Sequence, residues 1–131
     1  MKTSTLQWIE LAQADLRSCE NNLHDDFVTN IIAFHSQQAV EKAFKALLEE
    51  HGIAIPKVHN LTRLHSLSEQ FLVDPIDLSE LDALDIVYTN SRYPIDIGIM
   101  AGGKPTLAES RELFEIAKKI YLLIVNTIEK S

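Results

Sequence analysis

One segment limits the possible folds more than any other. From about Phe27 to His51 the chain reads as an unbroken helix, ended by Gly52 as a left-handed stop with Pro56 close behind. Ile32, Ala33, Ala39, Val40, Ala43, Phe44, Ala46 and Leu47 spread around most of its circumference. A helix that is apolar on most sides must be covered on most sides, so it predicts the central helix of a bundle.

The flanking segments supply the cover. Before it, Ile9, Ala12, Leu16, Cys19 and Leu23 recur at steps of three and four, the buried face of a helix that opens at Ser4, with Ser4 and Gln7 as a capping box. The residues Asn21, Asn22, His24 and Asp25 end it, and so short a connection predicts an antiparallel hairpin with the central helix. After it, Asn60 is the N-cap of a short helix carrying Leu61, Leu64, Leu67 and Phe71. Asp74 and Pro75 start a fourth helix with Leu78, Leu81, Leu84, Val87 and Tyr88 as its apolar positions. A loop from Asn90 to Pro105 follows, then a helix with Thr106 and Glu109 as a capping box and Leu113, Ala117, Ile120, Ile124 and Ile128 on its inner face. No segment alternates apolar and polar residues as a strand would. The expected fold is all-α, an antiparallel up-and-down bundle of four main helices plus one short one, with residues 1–131 as a single domain.

Composition narrows the function. The formal charge of −7 disfavours gripping duplex DNA, which calls for a basic balance. The lone Cys19 cannot form an internal disulfide, which fits a reducing compartment. No run approaches the roughly 18 apolar residues of a membrane span, and the MKTSTLQWIE start lacks a signal-peptide core. The expected location is the cytoplasm.

Three places hold candidate chemistry. On the central helix, His35, Gln38, Lys42, Lys45 and Glu49 fall within roughly 80° of one another at about 100° per residue. Such a stripe is either the solvent edge, with lysine stems over apolar neighbours, or the lining of a cleft in which Lys42 and Lys45 attract a phosphate. In the later loop, Arg92 offers a planar fork of donors, Tyr93 a stacking ring, and Pro94 holds Tyr93 extended. The alternative is that Arg92 caps a helix end or pairs with a carboxylate while Tyr93 packs. His59 is suited to contacting a phosphate or moving a proton, or to helping Asn60 organise a helix start.

Other chemistry has little to stand on. No Walker-type glycine loop, His-Glu-x-x-His or Cys-x-x-Cys occurs, so neither a metal nor a cofactor is expected. Ala101 to Lys104 reads as a turn. Asp74, Asp77, Glu80, Asp82 and Asp85 read as a solvated face, and Lys118 and Lys119 as charges complementing the end of the last helix.

Gln37, Gln38, Glu41, Lys42, Lys45 and Ala46, followed by His59, Asn60 and Leu61, resemble the most recognisable block of the HEPN family (higher eukaryotes and prokaryotes nucleotide-binding). Ala12, Asp15 and Leu16 also resemble the family, as does Tyr88 followed by Ser91, Arg92, Tyr93 and Pro94, so the resemblance spans nearly the whole chain. It implies a bundle that usually dimerises and works around nucleotides or RNA. It also implies a minimal nucleotidyltransferase partner, including in toxin–antitoxin pairs. The ligand-facing positions so implied are Lys42, Lys45, His59, Arg92 and Tyr93, with Gln38 beside them on the stripe. Other members are metal-independent RNases with an Arg, four to six residues, then a His late in the domain. Here Arg92 is followed by YPIDIGIM, without a histidine, and Arg17 with His24 has that spacing only in the wrong part of the fold. The expectation is therefore a binding module, homodimeric and without an assigned catalytic residue. An RNase or a purely structural bundle are the alternatives.

Overall fold

The computed structural model describes residues 1–92 and 104–131, with side chains over 1–88 and 104–131. Among these, every regular element is helical: α1 (Thr3–Glu20), α2 (Thr29–Glu50), α3 (Leu61–Ser68), α4 (Leu78–Arg92) and α5 (Leu107–Glu129), with single 3-10 turns at Asp26–Val28 and Glu69–Phe71. Helices adjacent in sequence run antiparallel through α1, α2, α4 and α5. The start of α1 meets the end of α2, where Thr5 Oγ1 donates to Glu50 Oε1 at 2.9 Å. Phe34 in the first third of α2 stacks on Tyr88 in the last third of α4. As the long apolar segment requires, α2 packs against all four other helices, most heavily against α1 and then α5. Its buried side chains include Ile32, Val40, Phe44, Leu47 and Leu48, all at 0% exposure.

Local chemistry sets the ends. After α2, Gly52 takes φ +68°; its N–H donates to the Glu49 carbonyl at 3.1 Å, and the Ile53 N–H donates to the Leu48 carbonyl at 3.0 Å. This is a Schellman motif, and glycine enters its left-handed position without the Cβ penalty. Asn60 caps α3 by accepting the Arg63 N–H at 2.8 Å. The Thr106–Glu109 capping box forms with both reciprocal bonds.

Several local expectations differ. Ser4 does not cap α1, because the helix already starts at Thr3; its hydroxyl donates to Glu49 Oε1 at 2.7 Å. Lys2 holds the cap position instead and sends its ammonium to the Glu49 carbonyl at the end of α2. Helix α4 starts at Leu78 rather than at Asp74–Pro75, since Asp77 is the residue whose side chain accepts the Ser79 N–H at 2.9 Å. Leu78, in the exposed first turn, is 50% accessible. At its other end α4 continues to Arg92, past Asn90. Lys118 and Lys119 lie well before the end of α5, and Lys119 pairs with Glu80 at 2.7 Å.

Cys19 packs in the α1–α2 seam with its thiol directed to the Ile32 carbonyl at 3.4 Å and 1% of the residue exposed. Burial pushes its pKa up to about 11. Since the thiolate is the reactive form, native protein should label slowly with Ellman's reagent near neutral pH and stoichiometrically once guanidinium unfolds it. Rapid labelling under native conditions contradicts this placement.

No helix among the described residues is long and apolar enough to cross a membrane.

Candidate functional site

The polar stripe of α2 is the floor of a shallow groove. One wall is α1; the other is the start of α3 together with α4. The two walls barely meet each other. Every charge on the floor has a partner, taken either from the α1 wall or from α2 itself.

Along the α1 wall, Asp15 is the acceptor. It is 5% exposed, and its two oxygens take His35 Nδ1 and Lys42 Nζ, each at 2.7 Å. Asp15 and Leu16 are adjacent on the same turn, so α1 buries an apolar residue beside the carboxylate that holds the α2 stripe. Lys42 uses one donor on Asp15, and its side chain keeps 22% exposure. Two of the three ammonium hydrogens therefore remain for another acceptor.

On the side of α2 toward the other wall, Glu41 is the acceptor. At 3% exposure it takes Lys45 Nζ at 3.0 Å, His59 Nδ1 at 3.1 Å and Gln38 Nε2 at 3.2 Å. Lys45 also lies 5.7 Å from the centre of the Trp8 ring, a cation–π distance. Gln37, with no exposure at all, donates to the His59 carbonyl at 2.7 Å and to Asp85 Oδ1 at 3.3 Å. Its own carbonyl oxygen accepts from Gln38 at 2.9 Å. Asp85 in turn accepts the Leu61 N–H through both oxygens, at 3.1 and 3.0 Å. Half-buried, it is not part of the solvated acidic face that the other α4 carboxylates suggest; burial raises its pKa above the ordinary carboxylate range against the hydrogen bonds that lower it. Through these bonds α2, α3 and α4 together fix the turn that carries His59.

His59 is the outward end of this network. Its side chain is 56% exposed, with Nδ1 on Glu41 and no hydrogen bond to Nε2 among the described residues. The Tyr88 ring is 5.8 Å away, and Phe34 stacks on the other part of Tyr88 at 5.5 Å. A cavity of about 200 Å³ lies among His59, Asn60, Asp85 and Tyr88. A carboxylate on Nδ1 fixes the orientation of the imidazole and leaves Nε2 for a ligand, as an acceptor in the neutral ring and a donor in the charged one.

The two lysines of the sequence expectation thus separate. Lys42 keeps partial access and spare donors, whereas Lys45 is 8% exposed and locked between Glu41 and Trp8. Gln38, one turn before Lys42, is half-buried. Position 92 lies on the same face of α4 as positions 85 and 88, at helical steps of three and four. The Arg92 side chain, Tyr93, and with them the loop reading through Gly103, lie outside the described residues. Asp15 and Glu41 are the residues that periodicity undervalues. Asp15 faces inward on a helix whose apolar face it shares, and only a facing histidine and lysine explain it. His24, which shares the Arg17–His24 spacing, contacts Arg111 Nη2 at 3.2 Å. No group of three metal-ligating side chains comes together among the described residues.

Comparison with known proteins agrees with the fold. A crystal structure of TT1696 from Thermus thermophilus superposes with a TM-score of 0.83 at 26% identity, over 96% of this chain and 99% of that one. A crystal structure of an archaeal HEPN homologue superposes with a TM-score of 0.70 at 27% identity, over 98% of this chain and 99% of that one. No curated protein matches. The family model for the HEPN domain matches residues 5–128. The chain belongs to the HEPN domain family, and its function is at that coarse level nucleotide- or RNA-related.

Proposed function

We propose that this chain binds a nucleotide or an RNA phosphate in the groove along α2, working as a homodimer in the cytoplasm with a minimal nucleotidyltransferase partner in a two-component or toxin–antitoxin-type system. The observation that carries the ligand reading is His59. It is exposed, is clamped from behind by the buried Glu41 at 3.1 Å, and faces an aromatic ring 5.8 Å away. His59 Nε2 and the spare donors of Lys42 meet phosphate oxygens, with Gln38 one turn before Lys42. Tyr88 offers a ring against a base, and the family resemblance adds Arg92 and Tyr93 as further ligand-facing residues. Lys45 acts through Glu41, holding the carboxylate that holds His59. The partner and the assembly rest on the family resemblance alone.

Calorimetric titration with adenosine monophosphate and with a short single-stranded oligoribonucleotide tests the ligand. His59→Ala should weaken binding about tenfold, the worth of one charge-assisted hydrogen bond. Lys42→Ala combined with Arg92→Ala should weaken it at least as much. Isotherms that superpose on those of the unsubstituted protein would remove the groove from consideration.

The same His59–Glu41 pair favours one second reading, a metal-independent RNase. An imidazole oriented by a carboxylate is suited to taking a proton from a ribose hydroxyl, with Arg92 placed against the charge that develops on phosphorus. Incubation with total RNA in chelator decides between the readings. Cleavage that vanishes in His59→Ala makes the chain an enzyme, and intact RNA leaves it a binding module.

A further inference from the structure

His35 takes no part in the ligand contacts described above, yet a buried carboxylate holds it much as Glu41 holds His59. Its Nδ1 lies 2.7 Å from Oδ1 of Asp15, which is 5% exposed, and the other oxygen of Asp15 takes Lys42 Nζ at the same distance. His35 and Lys42 stand two turns apart on one face of α2, and their side chains meet on this single carboxylate from α1. The Phe34 ring makes a T-shaped contact with the imidazole, 5.3 Å away at 83°, so two neighbours fix the plane of the His35 ring. The His35 side chain keeps 30% exposure and that of Lys42 22%, and His35 Nε2 has no hydrogen bond among the described residues.

The Asp15 contact decides what Nε2 offers a ligand. A ring nitrogen 2.7 Å from a carboxylate oxygen must carry a hydrogen, since two lone pairs do not make a hydrogen bond. In the neutral imidazole that hydrogen is the ring's only one, and Nε2 is left as an acceptor. Lys42, on the same carboxylate, has spare donors and no acceptor. An acceptor beside a cationic donor suits a ligand that carries a hydroxyl beside an anion. A ribose with a 3′-phosphate is such a ligand, its 2′-hydroxyl standing on the neighbouring carbon. We propose that His35 is a specificity-determining residue: Nε2 accepts the 2′-hydroxyl of a ribose whose phosphate Lys42 holds, and the groove thereby selects ribonucleotides over deoxyribonucleotides. The role presumes that the α2 groove takes a nucleotide or RNA, as proposed above. A deoxyribose leaves Nε2 facing no partner in a partly desolvated place, which is where a missing hydroxyl costs most.

Three short oligouridylates of one length serve as probes: the ribo strand, the deoxyribo strand, and a 2′-fluoro strand, which keeps the ribose pucker but has no hydroxyl to donate. Calorimetric titration should give the ribo strand about tenfold tighter binding than either of the others. His35→Phe keeps a ring beside Phe34 and leaves Asp15 its lysine, and in this variant the ratio should fall to near one. A purely structural role for His35 would weaken all three strands together and leave the ratio unchanged, which overturns the proposal. A 2′-fluoro strand that binds the unsubstituted protein as tightly as the ribo strand overturns it as well, without recourse to any variant. Equal binding of all three strands removes only the role of His35, whereas absence of binding by every strand removes the groove and this role with it.

Discussion

Replacing Glu41 by alanine should remove about 3 kcal/mol of folding stability, a large part of the roughly 5–15 kcal/mol that a domain of this kind possesses. The expectation follows from burial. Glu41 is 3% exposed and Lys45 8%, with the carboxylate and ammonium 3.0 Å apart. Taking away the carboxylate leaves an ammonium in a desolvated site beside the Trp8 ring. The companion substitution separates the cost of an orphaned charge from the worth of the pair. Glu41→Leu with Lys45→Met should return stability to within about 1 kcal/mol of the starting protein, since packed apolar groups replace a buried pair at little net cost. Urea denaturation of the three proteins reads both values. A single variant within about 0.5 kcal/mol of the parent would mean that the pair behaves as a surface ion pair does. The double variant also matters for function. It keeps the bundle but takes away the clamp behind His59, so its nucleotide affinity should fall although its fold does not.

Phe44→Ala should cost about 3–5 kcal/mol. Phe44 sits at 0% exposure on α2, in a T-shaped contact with the His65 ring at 6.2 Å, and it is among the largest fully buried side chains. Because α2 packs against all the other helices, the void cannot be closed by moving one neighbour inward. Phe44→Leu, which keeps most of the volume, should cost about 1.5 kcal/mol or less. Denaturation midpoints check the pair, and an alanine variant as stable as the leucine one would show that the centre of the bundle collapses freely.

The helices were legible in the chain because their signals are local. The spacing of Ile9, Ala12, Leu16 and Cys19, the stop at Gly52, the Asn60 cap and the Thr106–Glu109 box each involve residues within a turn or two of one another, and each stands where the sequence puts it. Two helix starts are misread. Ser4 and Asp74 both have the right residue type for a helix start, but α1 already starts at Thr3, with the Ser4 hydroxyl on Glu49 across the hairpin, and Asp77, three residues on, caps α4 instead. A long-range partner such as Glu49 leaves no trace in a local window.

The site shows the same division more sharply. Periodicity gathers His35, Gln38, Lys42 and Lys45 on one face of α2, and His59 precedes a capped helix. That much the order of residues settles by itself, since side chains at steps of three and four must share a face whatever surrounds them. Which of these groups can meet a ligand was decided only by packing. Asp15 arrives from α1 to occupy His35 and Lys42; Glu41 turns inward to bury Lys45 and to aim His59 outward; Gln37 and Asp85 tie that histidine's turn to α2 and α4. Charge pairing and desolvation depend on what lies opposite in space, and residues 15, 41, 59 and 85 become neighbours only once the helices have packed.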